Sequence, residues 1–380
     1  MESKLPEEIE QMRLATRTLV DDLLRHEALF QRTNTVPPEV GQAFSRLGYY
    51  GMRIPETHGG TALGMLATVA VVHELGRLPP QFWSFLRVAL GPSSKALVLH
   101  GTPAQQARWL PAIAQGECGV AFVLTEPEAG SDLSAMRTRA VREGGGWVLN
   151  GAKTFISNAD LAQLLVVFAR TSTTARLKGG LSAFLIPAGT PGLHVGPPMP
   201  TMGTTLNGLF ELSFDQCRID ADALLGEEGM GFDYAMESLN EGRLNVAAMA
   251  IGMGRYALDL ALAHAKTRQT FGKPLATHQT VQHMLANAAI ELHAGWLMLL
   301  DAARAVDAGA DAAARSAMVK VYCTEAAGRA VDMAVQLFGA AGYIRGLPVE
   351  RLYRDVRVLR IYEGASEVLR NVIARKLLSD

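Results

Sequence analysis

From residue 200 onward the chain carries only Pro200, Pro274 and Pro348, leaving 201–273 and 275–347 without a proline. Proline removes a backbone donor and clashes with the preceding turn, so long proline-free stretches rich in alanine can form long helices. Val281, Leu285, Ala288, Leu292, Trp296 and Leu299 keep helical spacing through the second stretch. In the first, Ala247, Ala248, Ala250, Gly252 and Gly254 are small enough to let neighbouring helices approach closely. From about Gly231 the pattern predicts long helices with short breaks, which implies a bundle.

Upstream, the periodicity changes twice. Residues 6–118 read as helices. The first carries Leu14, Thr18, Asp21, Asp22 and Arg25 on one face, with Met12, Leu19, Leu23 and Leu24 on the apolar side. Pro37-Pro38 opens a second, which the stretch Ile54-Pro55-Glu56-Thr57-His58-Gly59-Gly60 is expected to end. Further helices are expected over Met65 to Arg77 and from Thr102-Pro103 to Ile113, with Gly116-Glu117 closing the block. Between about 119 and 225 the signal is strand-like. Leu164 to Phe168 and Leu181 to Ile186 are apolar runs of strand length, and Phe210, Leu212 and Phe214 alternate with polar residues. Trp147 to Ser157 reads as a hairpin turning at Asn150-Gly151, a type I′ signature. The expected class is α+β: a helical domain at 1–118, a β-sheet (barrel-like) domain at 119–228 and a helical bundle at 229–380. There is no internal repeat.

Composition excludes several classes. Apolar residues make up 49% of the chain and charged ones 19%, while Lys+Arg (36) nearly balance Asp+Glu (37). No global field attracts nucleic acid or an anionic membrane, so any phosphate recognition must be local. Cys118, Cys217 and Cys323 are scattered without CxxC spacing, which points to a reducing compartment rather than to disulfides or a metal site. The acidic start, Met1 to Glu8, lacks the apolar core of a signal peptide, and no apolar run of membrane-spanning length is expected. A cytoplasmic protein is the expectation.

Five segments carry candidate chemistry. In Ile361-Tyr362-Glu363-Gly364-Ala365-Ser366-Glu367 a carboxylate sits between an aromatic residue and a glycine, with Ser366 a candidate N-cap for a helix striped by Val368, Leu369, Val372 and Ile373. A carboxylate beside apolar side chains is poorly solvated, which favours a useful base; on this segment alone a surface turn with an ordinary solvated glutamate is the preferred reading. Thr125-Glu126-Pro127-Glu128-Ala129-Gly130-Ser131-Asp132 offers hydroxyls and an approachable backbone to a polar ring or phosphate, or is a plain polar turn. In Lys153-Thr154-Phe155-Ile156-Ser157-Asn158, Phe155 and Ser157 share a strand face suited to a flavin, though Phe155 also reads as core. Arg268-Gln269-Thr270-Phe271-Gly272-Lys273-Pro274-Leu275, with His278-Gln279, breaks two helices and brings cations that could meet a pyrophosphate, or is an ordinary exposed helix break, which routinely carries cations. Gln336 to Tyr343 has the small residues of a close approach or of an ordinary C-cap.

Together and in this order, the motifs resemble those of the acyl-CoA dehydrogenase family across nearly the whole chain. Leu225-Gly226-Glu227-Glu228-Gly229-Met230-Gly231-Phe232 and Leu239-Asn240-Glu241-Gly242-Arg243 agree as well. The resemblance implies a helical N-terminal domain, a middle β domain and a C-terminal four-helix bundle, with one FAD per subunit and a homotetramer built as a dimer of dimers. It implies flavin contacts from Phe122, Leu124, Thr125, Gly130, Ser131, Phe155 and Ser157. Arg268, Thr270, Phe271, His278 and Gln279 would complete the FAD site of a neighbouring subunit, with Gln336, Leu337, Phe338, Gly339 and Ala340. Ala365, Ser366 and Glu367 match further flavin contacts. Ser131, Asn240, Arg243, Tyr362 and Gly364 would meet the CoA thioester.

The implied reaction makes Glu363 the base for the α-proton while the β-hydride passes to the flavin, giving a trans-2-enoyl-CoA. The enolate-like oxygen would be stabilised by the Glu363 backbone N–H and a flavin hydroxyl. Electrons would pass to an electron-transfer flavoprotein. The C-terminal pattern leans toward short or methyl-branched acyl chains.

This sequence departs from the family pattern in places. Phe155 stands where tryptophan is common, Ser157 and Ala365 where threonine is common, and Glu128 where a small residue is common. Some branches carry the base on the first bundle helix, where this chain has Gly242. A flavin monooxygenase or nitroalkane-oxidase-like relative, and a catalytically silent flavoprotein, are the rival readings; Glu363 argues against the first.

Overall fold

The computed structural model describes residues 5–33, 35–83, 86, 89–172, 176–203 and 208–379. The expectation for Met1 to Lys4 therefore lies outside the described residues. The N-terminal third folds as α1 (Glu7–Leu23), α2 (Glu27–Thr33), α3 (Pro38–Arg46), α4 (Met65–Leu75), α5 (Pro92–His100) and α6 (Pro103–Gln115). Pro38 occupies the first helical position of α3, as expected. That helix stops well before residue 54, because Gly48 turns left-handed at φ 67° just past its end. The 54–60 stretch instead holds a single 3-10 turn closed by Gly59 at φ 83°. Helix α6 starts with a reciprocal cap: the Gln105 N–H donates to Thr102 Oγ1 and the Thr102 N–H to Gln105 Oε1. The same Gln105 amide donates to the carbonyls of Asp222 and Leu224 and so ties this helix to the sheet.

The middle third forms β1 (Val120–Val123), β2 (Arg139–Glu143), β3 (Gly146–Ser157), β4 (Leu164–Arg170), β5 (Leu181–Pro187), β6 (Leu193–Val195), β7 (Leu209–Ile219) and β8 (Leu224–Leu225). Strand order is β6-β7-β3-β2-β4-β5-β8, with β1 pairing parallel to β4. The hairpin expected at Asn150-Gly151 is not there. Strand β3 runs straight through both residues, and its register against β7 slips between Leu149 and Gly151. Asn150 Oδ1 accepts from the Gln216 N–H at 2.8 Å, making the pair a bulge. The tight turn falls earlier, at Gly144-Gly145 with φ 60° and 84°, between β2 and β3. Two glycines meet the paired left-handed requirement without any Cβ and outcompete Asn-Gly for it. Trp147, Leu149, Phe184, Phe210 and Phe214 fill the core of the sheet.

The C-terminal part forms α7 (Gly231–Thr267), a small β9–β10 ribbon (Gln269–Thr270, Lys273–Pro274), α8 (Gln279–Asp307), α9 (Ala313–Phe338), α10 (Pro348–Val356) and α11 (Ser366–Ser379). Helices α7, α8, α9 and α11 make the bundle, and α7 also packs on α4 and α5. Small residues permit this. A Cβ added to Gly76 would fall 2.6 Å from the Met249 carbonyl oxygen, and one on Gly252 would overlap the His73 carbonyl. A single core therefore runs from the N-terminal helices into the bundle, including Leu75, Leu78, Met249, Leu292 and Val331. Asp307, the last residue of α8, accepts from the Met65 and Leu66 N–H groups and caps α4. Contrary to the sequence expectation, α7 does contain an apolar window of spanning length, with mean hydropathy 1.4. Since 67% of that window is buried inside the protein, its apolarity belongs to the core.

Buried ion pairs lock the same seam. Arg351 bonds Glu27 at 2.6 Å and Asp355 at 3.0 Å, all three nearly solvent-free. Arg13 reaches Glu74 across α1 and α4. Burial works to raise the Glu74 carboxyl, but His73 and Arg13 outweigh it and hold the group at about 2. A depressed carboxylate contributes stability above its unfolded value of 4.5 and loses it as pH falls toward 2. Glu74→Gln is expected to cost roughly 3 kcal/mol at neutral pH and to flatten the fall in stability between those values. Denaturant unfolding as a function of pH measures both.

Candidate active site

The segment joining α10 to α11 is bent by two consecutive left-handed residues, Glu363 at φ 53° and Gly364 at φ 99°. For a glutamate this conformation is unusual and must be held by its surroundings. Two cations hold it. Arg243 of α7 donates Nε to the Glu363 carbonyl at 3.3 Å, and Lys320 of α9 donates Nζ to the Gly364 carbonyl at 2.7 Å. Arg243 is buried and spends Nη1 on Asn240 Oδ1 at 2.6 Å. Burial pushes the Lys320 ammonium down to about 8, although the nearby Glu363 charge works the other way.

The Glu363 carboxylate lies against Gly242 of α7. A Cβ there would overlap Oε2 and come within 3.2 Å of Cδ. Gly242 thus makes room for the carboxylate. Tyr362 is half-buried against the core, while Ile361 is exposed. Ser366 is not the N-cap. It is the first residue of α11, its buried hydroxyl makes no hydrogen bond among the described residues, and the Ala365 carbonyl takes the first helical bond, from Leu369 at 3.0 Å. The two left-handed residues complete the turn early, which leaves Ala365 at the cap. Next to Gly242 a small cavity opens between α5 and α7, lined by Ile54, Leu90 and Val98 together with polar residues.

The TEPEAGSD and KTFISN segments come together through a buried pair that sequence reasoning did not single out. Lys153 Nζ bonds Glu126 Oε1 at 2.9 Å and the Leu124 carbonyl at 2.8 Å, and the Thr154 N–H donates to the Thr125 carbonyl. Glu126 also accepts from the Arg137 and Thr138 N–H groups. Burial works to raise its carboxyl, but Lys153 and these bonds hold it below the usual range. Burial pushes Lys153 down to about 8. Turned inward, this pair leaves the neighbouring groups outward: Gly130 and Ser131 are exposed, Thr125 and Ser157 half-exposed. Phe155 presents 58% of its surface at φ 57°, followed by Asn158 at φ 54°. Phe122 packs on Phe168 at a centroid distance of 4.9 Å, and Leu124 is buried behind it. An exposed aromatic face, exposed or half-exposed hydroxyls on the two segments and open space over Gly130 are groups of the kind that suit a flavin ring.

The RQTFGKPL segment forms the β9–β10 ribbon. Phe271 and Gly272 turn it at φ 51° and 77°, and Phe271 is 96% exposed. Arg268 and Gln279 are exposed, while Thr270 and His278 share a 3.4 Å contact. Gln336, Gly339 and Ala340 are exposed at the end of α9; Leu337 is half-buried and Phe338 stacks on His264 at 4.2 Å. Within one chain, no hydrogen bond joins these groups to the 122–157 segments among the described residues. Ala365 is half-buried and Glu367 exposed beside the Glu363 bend. Sequence reasoning also missed Lys320, whose signal was a lysine on the face of α9 that buries Ala317, Val321 and Thr324.

Comparison with known proteins identifies the family and the fold. Models of the acyl-CoA dehydrogenase N-terminal, middle and C-terminal domains match residues 6–117, 121–217 and 229–378. The mitochondrial short-chain specific acyl-CoA dehydrogenase of Mus musculus is 37% identical, over 99% of this chain and 91% of its own. Butyryl-CoA dehydrogenase from Megasphaera elsdenii superposes with a TM-score of 0.93 and 31% identity, covering 100% of both chains. A chain of the structure described as the electron transferring flavoprotein of Acidaminococcus fermentans superposes at 0.95 with 33% identity, again over 100% of both.

Breaking the Lys153–Glu126 pair strands a carboxylate in the interior. Lys153→Met is expected to destabilise the protein by about 3–5 kcal/mol. Lys153→Met together with Glu126→Gln should recover part of that loss, as read by denaturant unfolding of the single and double variants.

Proposed function

This chain belongs to the acyl-CoA dehydrogenase family, and we propose that Glu363 is the base with which it takes the α-proton of a short or methyl-branched acyl-CoA. The protein is an FAD-dependent oxidoreductase acting on acyl-CoA thioesters. The observation that carries the assignment of the base is the strained Glu363 bend, whose carboxylate rests on Gly242 beside the cavity. Backbone strain held by two buried cations at a carboxylate is costly and persists where it serves chemistry.

FAD, when bound, supplies the acceptor for the β-hydride. In our reading the chain does the rest. Phe155, Thr125, Gly130, Ser131 and Ser157 hold the flavin ring, with Phe122 and Leu124 behind it. The Glu363 carboxylate accepts the α-proton, and its backbone N–H donates to the thioester oxygen as negative charge builds there. Arg243 and Lys320 position that N–H by fixing the carbonyls of Glu363 and Gly364. Arg243, Asn240, Tyr362 and Ser131 border the path of the thioester.

Short or methyl-branched chains are supported by the short-chain relative and the butyryl-CoA dehydrogenase likeness. An electron-transfer flavoprotein is the proposed acceptor, supported by the Acidaminococcus likeness. The proposed assembly is a homotetramer of paired dimers in which Arg268, Phe271 and Gln336 complete a neighbour's FAD site; the exposure of all three supports it. Domain limits at 118 and 228 follow the same reading. A cytoplasmic location is supported by three buried, unpaired cysteines.

Replacing Glu363 with glutamine preserves shape but removes the proton acceptor. Glu363→Gln is expected to slow anaerobic flavin reduction by about a hundred- to ten-thousand-fold in stopped flow, with FAD content unchanged. Reduction near the wild-type rate would move the base elsewhere. Phe155→Ala is expected to shift the flavin absorption bands and loosen FAD, whereas Phe155→Trp keeps both, as read by absorbance and dialysis.

A further inference from the structure

The cavity beside Gly242 carries a charged cluster that proton abstraction does not use. Arg53 bonds Glu241 at 2.6 Å and Lys95 bonds the same carboxylate at 2.8 Å. The three side chains are only 17–19% exposed, and all of them line the cavity. Burial works against the Glu241 charge, but Arg53 and Lys95 hold its carboxyl below the usual range, so it is ionised at neutral pH. Among the described residues no other carboxylate pairs with either cation. Two cations sharing one carboxylate leave one positive charge in excess.

A clamp between the N-terminal helices and α7 would need only one of the two cations. The second is a desolvated charge, which is costly unless an anion answers it. Donors are also to spare. Lys95 has three N–H groups and a single ion-pair partner, while Arg53 gives Nη1 to the Leu63 carbonyl and Nη2 to Glu241. Glu241 directly precedes Gly242, on which the Glu363 carboxylate rests. The cluster therefore lies a short step from the reacting carbons, past the apolar wall of Ile54, Leu90 and Val98.

We propose that the cavity takes a short acyl-CoA whose far end carries an anionic group, a carboxylate, bound by Lys95 and Arg53. This deepens the dehydrogenase reading and rests on it. The carboxylate would neutralise the cluster and use the free Lys95 donors, while a methyl terminus would leave both unanswered. Glu241 keeps the two cations apart and fixes their direction.

The FAD-loaded Glu363→Gln variant binds thioesters without turning them over, so affinities can be read by titration calorimetry. Glutaryl-CoA and pentanoyl-CoA have equally long chains and differ in the terminal carboxylate. Glutaryl-CoA is expected to bind about ten- to a hundred-fold tighter, and Lys95→Met in that background should bring the two within about twofold. Lys95→Gln serves if the methionine variant does not fold. Equal or weaker binding of glutaryl-CoA, a ratio unmoved by Lys95→Met, or tighter binding of 5-hydroxypentanoyl-CoA would each overturn the proposal. Anaerobic flavin bleaching by wild type separates the two readings. If pentanoyl-CoA bleaches it and glutaryl-CoA shows no preference, the anionic pocket alone falls. If neither thioester bleaches it while glutaryl-CoA still binds tightly, the dehydrogenase reading falls and the pocket stands.

Discussion

Helix α7 can do its several jobs because backbone, not side chain, faces α4 at their crossing. Gly76 meets the Met249 carbonyl and Gly252 meets the carbonyl of His73, so neither position tolerates a Cβ without movement. Close packing of this kind maximises dispersion contacts and transmits position faithfully along a rigid rod. It joins the N-terminal helices and the bundle through a single apolar core. The buried Arg351 cluster and the Asp307 cap on α4 then fix the register of that seam. Everything chemical in the molecule is measured from α7.

From that rod the site is built outward. Gly242 cradles the Glu363 carboxylate, Arg243 one residue on holds the Glu363 carbonyl, and Glu241 one residue back faces the cavity. Three successive residues thus meet the Glu363 carboxylate, the Glu363 backbone and the pocket wall. Successive helical residues point about 100° apart, which is why one short segment can face three surfaces. The sheet contributes through another buried device. Lys153 and Glu126 turn inward and pin the 124–132 loop to β3, while Phe155 and Ser131 remain exposed and Thr125 half-exposed.

Of the six left-handed non-glycine residues among those described, Ala62 and Gln216 lie outside the candidate motifs and the other four lie within them. Glu363, Phe155, Asn158 and Phe271 all adopt positive φ. Each lies in a motif that stood out in the sequence, yet nothing in those residue types announces the conformation. At the Glu363 bend the neighbours that hold it, Lys320 and Arg243, are distant in sequence.

Local rules account for what the sequence determined by itself. Proline spacing and small-residue stripes were enough to place the long helices, and alternation at Phe210, Leu212 and Phe214 identified β7. The order of the motifs was enough to identify the family. Only the tertiary structure decided where the turns fell. Asn150-Gly151 has strong hairpin chemistry, but pairing along β7 kept β3 straight and moved the turn to Gly144-Gly145. Ser366 has the chemistry of a cap, but the left-handed bend before it put Ala365 in that place. The Lys153–Glu126 pair, the two cations under Glu363 and the Arg53–Lys95–Glu241 cluster join residues from separate elements. Such pairings depend on which desolvated charges the fold brings within bonding distance, a property of packing that no local pattern encodes.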